Sequence, residues 1–353
     1  LEPLGIQVAL LTGQMTAKSQ RETLQRIASG EVQVIIGTHA LFQDKVIFHK
    51  LALAIIDEQH RFGVHQRMAL QHKGAYPHQL VMTATPIPRT LTMTLYADMD
   101  VSVIDELPKG RQPITTHTAA QPKRPELIER LRKILAQGQQ AYWVCTLIEP
   151  SEEIEALSAE EAFDLLRREL PEFRVALLHG RMKGDEKVEV MRAFKAGEYK
   201  LLVATTVVEV GVDVPNATQM FIENAERLGL AQLHQLRGRV GRGSKASRCF
   251  LLFKPGVSQA GQHRLNALRQ SQDGFYLAEQ DLKLRGPGDI LGTRQSGEQS
   301  FKIADLSEHA HLMPRVVQRC ETMMNAAPAS DDGIYLTGLL NTWAASDNAH
   351  LSV

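Results

Sequence analysis

Short apolar runs alternate with amphipathic stretches along most of this 353-residue chain. Runs rich in β-branched residues predict buried strands at 32–36, 53–56 and 80–83, and a helix over about 19–28 precedes the first, with Gly30 placed to end it. A second series predicts a helix over 127–135 ended by Gly138, then strands at 141–145, 175–178, 200–204, 220–222 and 249–253. Such alternation is typical of α/β folds with parallel sheets covered by helices on both faces.

Changes in this pattern divide the chain into three predicted regions. Residues 1–110 are expected to form the C-terminal part of a first α/β domain, 111–255 a second α/β domain, and 256–353 a helical hairpin with a helical tail. Pro and Gly at 107–113 suit a linker, and the turn-rich segment 286–292 predicts a hinge after a helix ending near Arg285. Ligands of parallel sheets bind at the carboxyl ends of strands, where Asp57, Thr83 and Thr205 fall.

Composition narrows the class of protein. The chain is 43% hydrophobic, which is ordinary for a soluble globular protein, and carries 40 Lys and Arg against 40 Asp and Glu. Any nucleic-acid contact must therefore come from a local patch of positive charge. One candidate patch is the run Arg237, Arg239, Arg242, Lys245 and Arg248. The alternative interpretation of this run is a solvated helix surface. Three widely spaced cysteines favour a reducing cytoplasm over a zinc site or disulfide framework. No apolar run has membrane-spanning length, and no secretory signal opens the chain.

An apolar run ends in two carboxylates, Asp57 and Glu58. Asp57 can hold Mg²⁺ through water and Glu58 can polarise water for attack on a terminal phosphate, although such pairs are also common at solvated strand ends. His60 follows, either as a buried histidine or as a link from the nucleotide site to neighbouring elements. Thr83 and Thr85 lie at a later strand-to-helix turn, where hydroxyls can couple hydrolysis to movement or merely cap a helix.

Other predicted strand ends offer contacts to nucleic acid and nucleotide. A backbone amide and a hydroxyl at such a place suit a DNA phosphate, with an ordinary turn as the alternative. The candidates for DNA contact are Gly37, Thr38, His39 and Thr205. In the glycine loop after Thr205, Gly211 permits close approach of a nucleotide and Asp213 can bond a ribose hydroxyl.

Arginines are concentrated in the segment 235–242. Gln235, Arg239 and Arg242 are predicted to lie on a helix, on which Arg239 and Arg242 share a face because they are three residues apart. Arg is favoured over Lys in such a place because its planar fork can grip phosphate with two hydrogen bonds. Arginines on one element and carboxylates on another are the two halves of a phosphoryl-transfer site.

A glycine-rich phosphate loop is missing from the sequence. The nearest match runs from Thr12 to Ser19, but Thr12 and Ala17 replace both loop glycines, so the backbone is poorly suited to cradle phosphate. Lys18 and Ser19 are better interpreted as the start of a solvated helix. We therefore expect the phosphate cradle to lie before Leu1 and interpret the chain as a fragment.

The motifs together resemble those of superfamily 2 helicases. Segments 37–41, 57–60 and 83–90 resemble motifs Ib, II and III, 179–182 resembles the motif IV region, and 205–213 and 235–242 resemble motifs V and VI. Segment 281–297 resembles the translocation motif shared by the RecG family and the transcription-repair coupling factor. Gln59, His60 and the segment 292–295 favour the RecG family.

The resemblance implies two RecA-like domains, the first incomplete, with ATP and Mg²⁺ as cofactors and branched DNA as partner. It implies a monomeric, cytoplasmic, nucleoid-associated motor that remodels stalled forks and Holliday junctions, with single-strand DNA-binding protein as a further partner. The residues that would relay motor closure to DNA are Arg285, Arg294 and Gln295. Because the phosphate loop and the junction-splitting wedge domain of the family would precede Leu1, we expect negligible ATP hydrolysis and no fork reversal from this chain by itself.

Three other interpretations remain open at this point. The motor motifs also suit the transcription-repair coupling factor, and a non-catalytic DNA-binding module with a degenerate motor fold belongs to a different class. An RNA helicase is compatible with the motor motifs as well, and only the segment 285–295 speaks against it.

Overall fold

The computed structural model describes residues 1–13, 15–58, 70, 73–74, 77–84, 100–104, 106, 111–146, 152–206, 213–285 and 309–343. The chain forms two compact units, Leu1–Ala84 and Thr85–Val353. The described strand pairs in both units are parallel. The α/β class and the parallel sheets predicted from the apolar runs are therefore confirmed.

The first unit contains two small sheets. Strand β1 pairs with β2, and β3 pairs with β4, each over four residues. In chain order the elements are a 3₁₀ turn at Glu2–Leu4, β1 at Val8–Leu11, helix α1 at Ala17–Ser29, β2 at Val34–Gly37, a 3₁₀ turn at His39–Phe42, β3 at Leu53–Ile56 and β4 at His78–Val81. Strand β3 lies at its predicted position, β2 begins two residues after its predicted start, and β4 begins two residues before its predicted start. Strand β1 was not predicted.

Helix α1 is bounded by local signals that the sequence displays. The Thr16 side chain accepts a hydrogen bond from the Ser19 amide, which satisfies one of the orphan donors of the first turn. Gly30 adopts a left-handed conformation at φ 79° and its amide donates to the Ile27 carbonyl. The predicted helix and its glycine stop are both confirmed.

The predicted burial of the strands is only half correct in the first unit. Along β3, Ala54 and Ile56 are buried whereas Leu53 and Ile55 are exposed. The buried side chains form two small clusters, one centred on Leu11 and Ile27 and the other on Ala54 and Ile56. One face of these strands is thus covered and the other is open.

The second unit is built on a six-stranded parallel sheet in the order β5-β10-β9-β6-β8-β7. The strands are β5 at Ile114–Ala120, β6 at Gln140–Val144, β7 at Val175–Leu178, β8 at Leu201–Ala204, β9 at Ala217–Ile222 and β10 at Ser247–Phe253. The connecting helices are α2 at Arg124–Ala136, α3 at Glu152–Glu169, α4 at Gly184–Lys195 and α5 at Leu230–Arg237, with a 3₁₀ turn at Gln121–Lys123 before α2 and another at Ala225–Arg227 before α5.

Both faces of this sheet are covered, as continuous apolar strands require. Side chains alternate between two clusters, so Tyr142 packs in one and Trp143 in the other. The Trp143 ring stacks on Phe221 with centroids 4.9 Å apart, and Phe221 stacks on Phe250 at 4.8 Å. These rings form the centre of the layer that α2 and α3 cover.

Helices follow the sheet, as predicted. Helix α6 at Gln259–Gln270 and helix α7 at Gly274–Arg285 form a hairpin in which the His263 Nε2 and Gln280 Oε1 atoms are 2.8 Å apart, and α7 also packs on α5. Beyond a 3₁₀ turn at Ala310–Leu312, helices α8 at Met313–Met324 and α9 at Asp331–Trp343 pack on each other, with an ion pair between Arg319 and Asp332. Across the described ranges, no helix combines the length and apolar character needed to span a bilayer.

Candidate functional site

The acidic pair lies where β3 ends. Asp57 is exposed and follows Ile56, whose carbonyl accepts a hydrogen bond of 2.8 Å from the Met82 amide beyond β4. The Asp57 Oδ1 atom accepts a 2.8 Å hydrogen bond from the Glu58 amide. The two carboxylates are thus placed at the carboxyl edge of a parallel strand pair, where ligands of such sheets bind.

Glu58 has an unusual backbone conformation. Its φ of 52° lies in the left-handed region, which a non-glycine residue rarely adopts and which costs on the order of 1–3 kcal/mol. Its Oε2 atom is shielded from solvent although the residue as a whole is only half-buried. Strain of this kind is often retained at functional sites, so the conformation is a signal of function that the sequence does not show.

The end of β2 carries three of the candidate DNA contacts. Gly37, Thr38 and His39 are all exposed. A Cβ atom on Gly37 would lie 2.3 Å from the Leu11 carbonyl oxygen, so only glycine allows the chain to pass this close to β1. The Leu41 amide then bonds the Thr38 carbonyl at 3.0 Å, which starts the 3₁₀ turn. The Thr38 amide bonds the Leu11 carbonyl at 3.4 Å, so what this strand end presents to solvent is the side chains of Thr38 and His39.

Thr205 is placed at the carboxyl end of β8, but it is fully buried. Its amide donates to the Leu178 carbonyl at 3.1 Å, whereas its Oγ1 atom has no hydrogen-bond partner among the residues that the structure describes. An unsatisfied buried hydroxyl costs on the order of 1–3 kcal/mol. The hydroxyl lies at the ligand-binding edge of the sheet but is closed off from solvent in this structure.

The arginine segment corrects the sequence-based prediction. Gln235 lies on α5, but that helix ends at Arg237 with Gly238 as its C-cap, so Arg239 and Arg242 occupy a turn and a loop rather than a helical face. The Arg239 amide bonds the Leu236 carbonyl at 3.0 Å, and Arg242 Nε bonds the Gly238 carbonyl at 3.4 Å. The prediction that Arg239 and Arg242 share a helical face is wrong because the helix ends before Gly238, and Gly241 lies between the two arginines.

Gly241 determines the path of this arginine loop, residues 238–242. It has φ +75°, and a Cβ atom there would lie 2.8 Å from the Ile114 side chain. The missing side chain lets the loop pass against the first residue of β5. Arg239 and Arg242 are consequently carried by a loop that packs against Ile114 at the start of the sheet of the second unit.

Asp213 and Tyr142 share the surroundings of the arginine loop. Arg242 Nη1 lies 3.7 Å from Asp213 Oδ1, a distance longer than a tight charge-assisted hydrogen bond. Burial raises the pKa of Tyr142, the positive charges of Arg242 and Arg239 oppose that effect, and Asp213 adds to it. Tyr142 is 1% exposed, so it is a buried residue close enough to these charged side chains to be influenced by them. Sequence reasoning missed it because it lies within an apolar strand.

The basic run proposed as a surface patch is not continuous. Arg237 is only 2% exposed, so it belongs to the interior and not to a nucleic-acid surface. Arg242 and Lys245 each contact another part of the unit, Asp213 and Asn216 respectively. The run is therefore divided among the buried Arg237, the arginine loop, Lys245 beyond that loop and Arg248 within β10.

Five predicted site residues lie outside the described part of the chain: His60, Thr85, Gly211, Arg294 and Gln295. Thr83 is exposed just after β4. Arg285 is the last residue of α7, so the predicted helix end is confirmed.

The residues present fit the cofactors that the sequence implies. Mg²⁺ in nucleotide sites is held by one or two carboxylates together with phosphate oxygens and water, and an exposed Asp57 beside a partly shielded Glu58 matches that ligand set. The arginine loop supplies the positive charge that a nucleotide phosphate needs. The two groups of residues lie in different compact units.

Family models match three parts of the chain. Residues 1–94 match the DEAD/DEAH box helicase model, and 126–244 match the helicase conserved C-terminal domain. Residues 271–336 match the model for domain 3, C-terminal, of ATP-dependent DNA helicase RecG. Both units thus have the fold and the motifs of a helicase with RecA-like sheets.

Curated relatives identify the particular family. The RecG proteins of Escherichia coli and Haemophilus influenzae are 59% and 54% identical to this chain over 89% and 93% of its length. That of Bacillus subtilis is 49% identical over 86%. The chain belongs to the family of ATP-dependent DNA helicase RecG. It spans 46%, 48% and 45% of the length of these three relatives.

Solved structures agree with this assignment. A structure of RecG bound to a three-way DNA junction is 44% identical, with a TM-score of 0.64, over 87% of this chain and 40% of that chain. The helicase Lhr of Mycobacterium smegmatis, bound to single-stranded DNA and AMP-PNP, is 16% identical with a TM-score of 0.56, over 76% of this chain and 37% of that chain. The second match shows a shared fold alone.

Proposed function

We propose that this chain is the motor portion of an ATP-dependent double-stranded DNA translocase that remodels stalled replication forks and Holliday junctions. The observation that carries the proposal is the arginine loop, which places Arg242 beside Asp213 in a chain 59% identical to an ATP-dependent DNA helicase. Branched DNA is the proposed partner, supported by the relative that was solved on a three-way junction.

The acidic pair is the proposed hydrolytic half of the site. Asp57 would hold Mg²⁺ through water, and Mg²⁺ would supply the charge that neutralises the phosphates of ATP. Glu58 would orient and polarise the attacking water. The left-handed backbone of Glu58 sets the direction in which its side chain leaves the strand end. Its Oε2 atom is shielded from solvent, so a hydrogen bond that this carboxylate accepts from the attacking water would meet little competition from bulk water.

The arginine loop is the proposed electrostatic half. Arg239 and Arg242 would neutralise the charge that develops on the transferred phosphate, and Gln235 on α5 would help to orient the water. Arg242 can exchange its long contact with Asp213 for phosphate at little cost. Asp213 is then free to bond the ribose, and Gly211, which has no side chain, would allow a nucleotide to approach the backbone closely.

The remaining candidates are assigned to DNA contact and coupling. Phosphate oxygens accept hydrogen bonds, which the exposed Thr38 hydroxyl can donate as it stands. The Thr205 hydroxyl, which is buried, would have to become exposed to do the same. The proposed DNA contacts are Gly37, Thr38, His39 and Thr205. The proposed coupling residues, which link hydrolysis to DNA movement, are His60, Thr83, Thr85, Arg285, Arg294 and Gln295.

The motor is proposed to act as a monomer in the bacterial cytoplasm on nucleoid DNA, with single-strand DNA-binding protein as a further partner. The match of residues 271–336 to a RecG-specific model favours this function over that of the transcription-repair coupling factor. The match also argues against an RNA helicase.

The test is ATP hydrolysis by the natural-length protein with and without a three-way DNA junction. Glu58→Gln, Arg239→Ala and Arg242→Ala are each expected to lower junction-stimulated kcat by about 100-fold or more, because each removes a group that stabilises the transition state. Matched controls are Glu31→Gln in the first unit and Arg192→Ala in the second, both exposed and outside the site.

Junction-stimulated hydrolysis that survives in Arg239→Ala and Arg242→Ala would show that these arginines do not serve the reaction. Absence of any stimulation by junction DNA in the unaltered protein would refute the proposed function as a whole.

A further inference from the structure

Four aromatic rings on neighbouring strands of the six-stranded sheet stack in a row. They lie in direct register on β6, β9, β10 and β5, and they are Trp143, Phe221, Phe250 and His117. Successive ring centroids are 4.9, 4.8 and 5.2 Å apart, and successive ring planes are inclined by 15°, 12° and 18°. These separations are close to the spacing between strands, so each ring covers one face of the next.

The two ends of this row differ. At the inner end Trp143 is fully buried, and its indole donates a 2.7 Å hydrogen bond to Glu223, which also pairs with Arg124. At the outer end His117 is partly exposed, and β5 is the last strand of the sheet within the described ranges. One face of the His117 ring lies on Phe250, so the opposite face is directed away from the sheet. The row therefore ends in a ring face on which a further planar group can stack.

Positive charge surrounds the outer end of the row. Arg248 lies on β10 two residues before Phe250, and therefore on the same face of the sheet. On α2, the Arg130 Cζ atom is 5.1 Å from the Phe250 ring centroid. Burial lowers the pKa of His117 below 6.5, and the charges of Arg130 and Arg248 lower it further, so the ring is uncharged at neutral pH. Neither guanidinium makes an ion pair within the described ranges.

An uncharged aromatic face beside two cations is a combination that suits unpaired nucleotides. A base stacks on the ring, and a neighbouring phosphate binds a guanidinium. The exposed Thr115, two residues before His117 on the same face of β5, offers a hydroxyl as a further donor to phosphate. In a duplex each base is already stacked on both sides, so this ring face requires a base from a single strand. An acidic peptide would use the charges but has no need of the ring.

We propose that His117, Arg130 and Arg248 form a binding site for single-stranded DNA, here named the His117 site. The base of an unpaired nucleotide stacks on the outer face of His117 as a fifth ring of the row, and adjacent phosphates bind the two arginines. The site goes beyond the proposed function, because it is additional to the DNA contacts assigned to the first unit and does not require ATP hydrolysis.

The test measures the binding of a labelled oligothymidine of about 12 nucleotides to the natural-length protein by fluorescence anisotropy. Unlabelled, fully paired three-way junction is present at saturation, so that it occupies the contacts used by branched duplex DNA. The oligonucleotide should still bind. His117→Ala should raise its Kd by about ten-fold because a stacking contact is lost, whereas His117→Phe keeps a ring and should stay within about two-fold of the unaltered protein.

The contribution of charge is tested on α2. Arg130→Gln should raise the Kd by about three- to five-fold and make the dependence of log Kd on log salt concentration shallower by about 0.7, the contribution of one phosphate contact to a single strand. Arg132→Gln is the matched control: it makes the same change on the same helix, but its guanidinium is already paired with Glu129 and Glu172. Its Kd and salt dependence should be those of the unaltered protein.

Loss of oligonucleotide binding once the junction is present, or an unchanged Kd in His117→Ala, would overturn the proposal. Equal competition by a duplex of the same length would also overturn it, because a duplex offers phosphates without an unpaired base. An acidic peptide that displaces the oligonucleotide and binds His117→Ala as well as the unaltered protein would identify a protein as the occupant and refute single-stranded DNA.

Two further comparisons keep the outcome decisive. If His117→Ala does not fold, the difference between Arg130→Gln and Arg132→Gln tests the site with the ring row intact, and equal Kd values in these two variants refute it. Failure of the proposed function is distinguishable, because junction-stimulated ATP hydrolysis would then be absent from the unaltered protein while oligothymidine binding at the His117 site remained.

Discussion

The two compact units have similar apolar strands but bury them differently. In the six-stranded sheet, β6, β8 and β9 are buried along their whole length. In the first unit, β3 buries every second residue, and Leu53 and Ile55 are 52% and 58% exposed. Continuous apolar strands are typical of sheets covered on both faces. The exposed face of β3 therefore carries apolar side chains of the kind usually found in a protein interior. An apolar run therefore predicts a strand more reliably than it predicts burial.

A matched pair of leucines tests this difference most strongly. Leu201 in β8 is fully buried and Leu53 in β3 is half exposed. Leu201→Ala should lower the free energy of unfolding of its unit by about 2–5 kcal/mol because it leaves a cavity. Leu53→Ala should cost less than about 1 kcal/mol. Hydrogen exchange followed by mass spectrometry measures the stability of each unit separately, and equal losses would show that the open face of the first unit is covered in solution.

The second unit also contains a buried ring that makes it sensitive to acid. Burial, and then the charge of Arg237, lower the pKa of His234 from 6.5 to about 4, with smaller effects from Asp273, which raises it, and Arg111, which lowers it. Above pH 6.5 the ring is neutral in both folded and unfolded chains and contributes no pH dependence. As the pH falls from 6.5 to 4, only the unfolded chain takes up the proton, so the free energy of unfolding should decrease by about 3 kcal/mol.

Urea unfolding of the second unit at a series of pH values measures this slope. His234→Gln is the control because it keeps an acceptor for Arg237 but does not titrate, so the slope between pH 6.5 and 4 should become shallower. An identical slope in the His234→Gln chain would show that the ring is solvated in the folded state.

Two ion pairs provide the third and smallest comparison. In the second unit Arg124 Nη2 lies 2.7 Å from Glu223 Oε1, and the two side chains are 24% and 10% exposed. In the first unit Arg26 Nε lies 2.7 Å from Glu31 Oε1, with side chains 40% and 54% exposed. Arg124→Met should cost about 2 kcal/mol because it leaves a buried carboxylate, whereas Arg26→Met should cost less than about 1 kcal/mol.

A double-mutant cycle in each pair, with Glu223→Gln and Glu31→Gln as the partner changes, isolates the two coupling energies. Burial raises the pKa of Glu223 while Arg124 and the Trp143 hydrogen bond lower it, so the loss in Arg124→Met should be larger at neutral than at acid pH. Equal coupling energies in the two pairs would contradict the assigned difference in burial.

Much of the fold could be predicted because its signals are local. Thr16 and Gly30 bound α1 through their own side chain and backbone, and β7 lies where its apolar run predicts it. Strand β5 was missed, since its sequence Ile-Thr-Thr-His-Thr-Ala-Ala is largely polar and, among the described strands, it pairs with β10 alone. Whether such a polar segment forms a strand depends on the neighbouring strand, which is distant in the chain.

The candidate site was predictable in its residue types and less so in its geometry. The carboxylates after β3 and the arginines after α5 are visible as motifs, but the left-handed Glu58 is not. The arginine loop was wrongly predicted as helix because the cost of Gly238 and Gly241 was ignored in favour of a three-residue spacing. The interior position of Arg237 could not be predicted, since its acceptors are carbonyls 31 and 34 residues away.

Trp143 has a practical consequence for work on this protein. The indole is inaccessible to solvent, stacked on Phe221, and donates a 2.7 Å hydrogen bond to Glu223 Oε1. Its light emission should shift to longer wavelength when water reaches the ring, so the six-stranded sheet contains its own optical reporter. The sequence has one other tryptophan, and replacing Trp343 with phenylalanine would leave a single emitter that reports on this sheet without any attached dye.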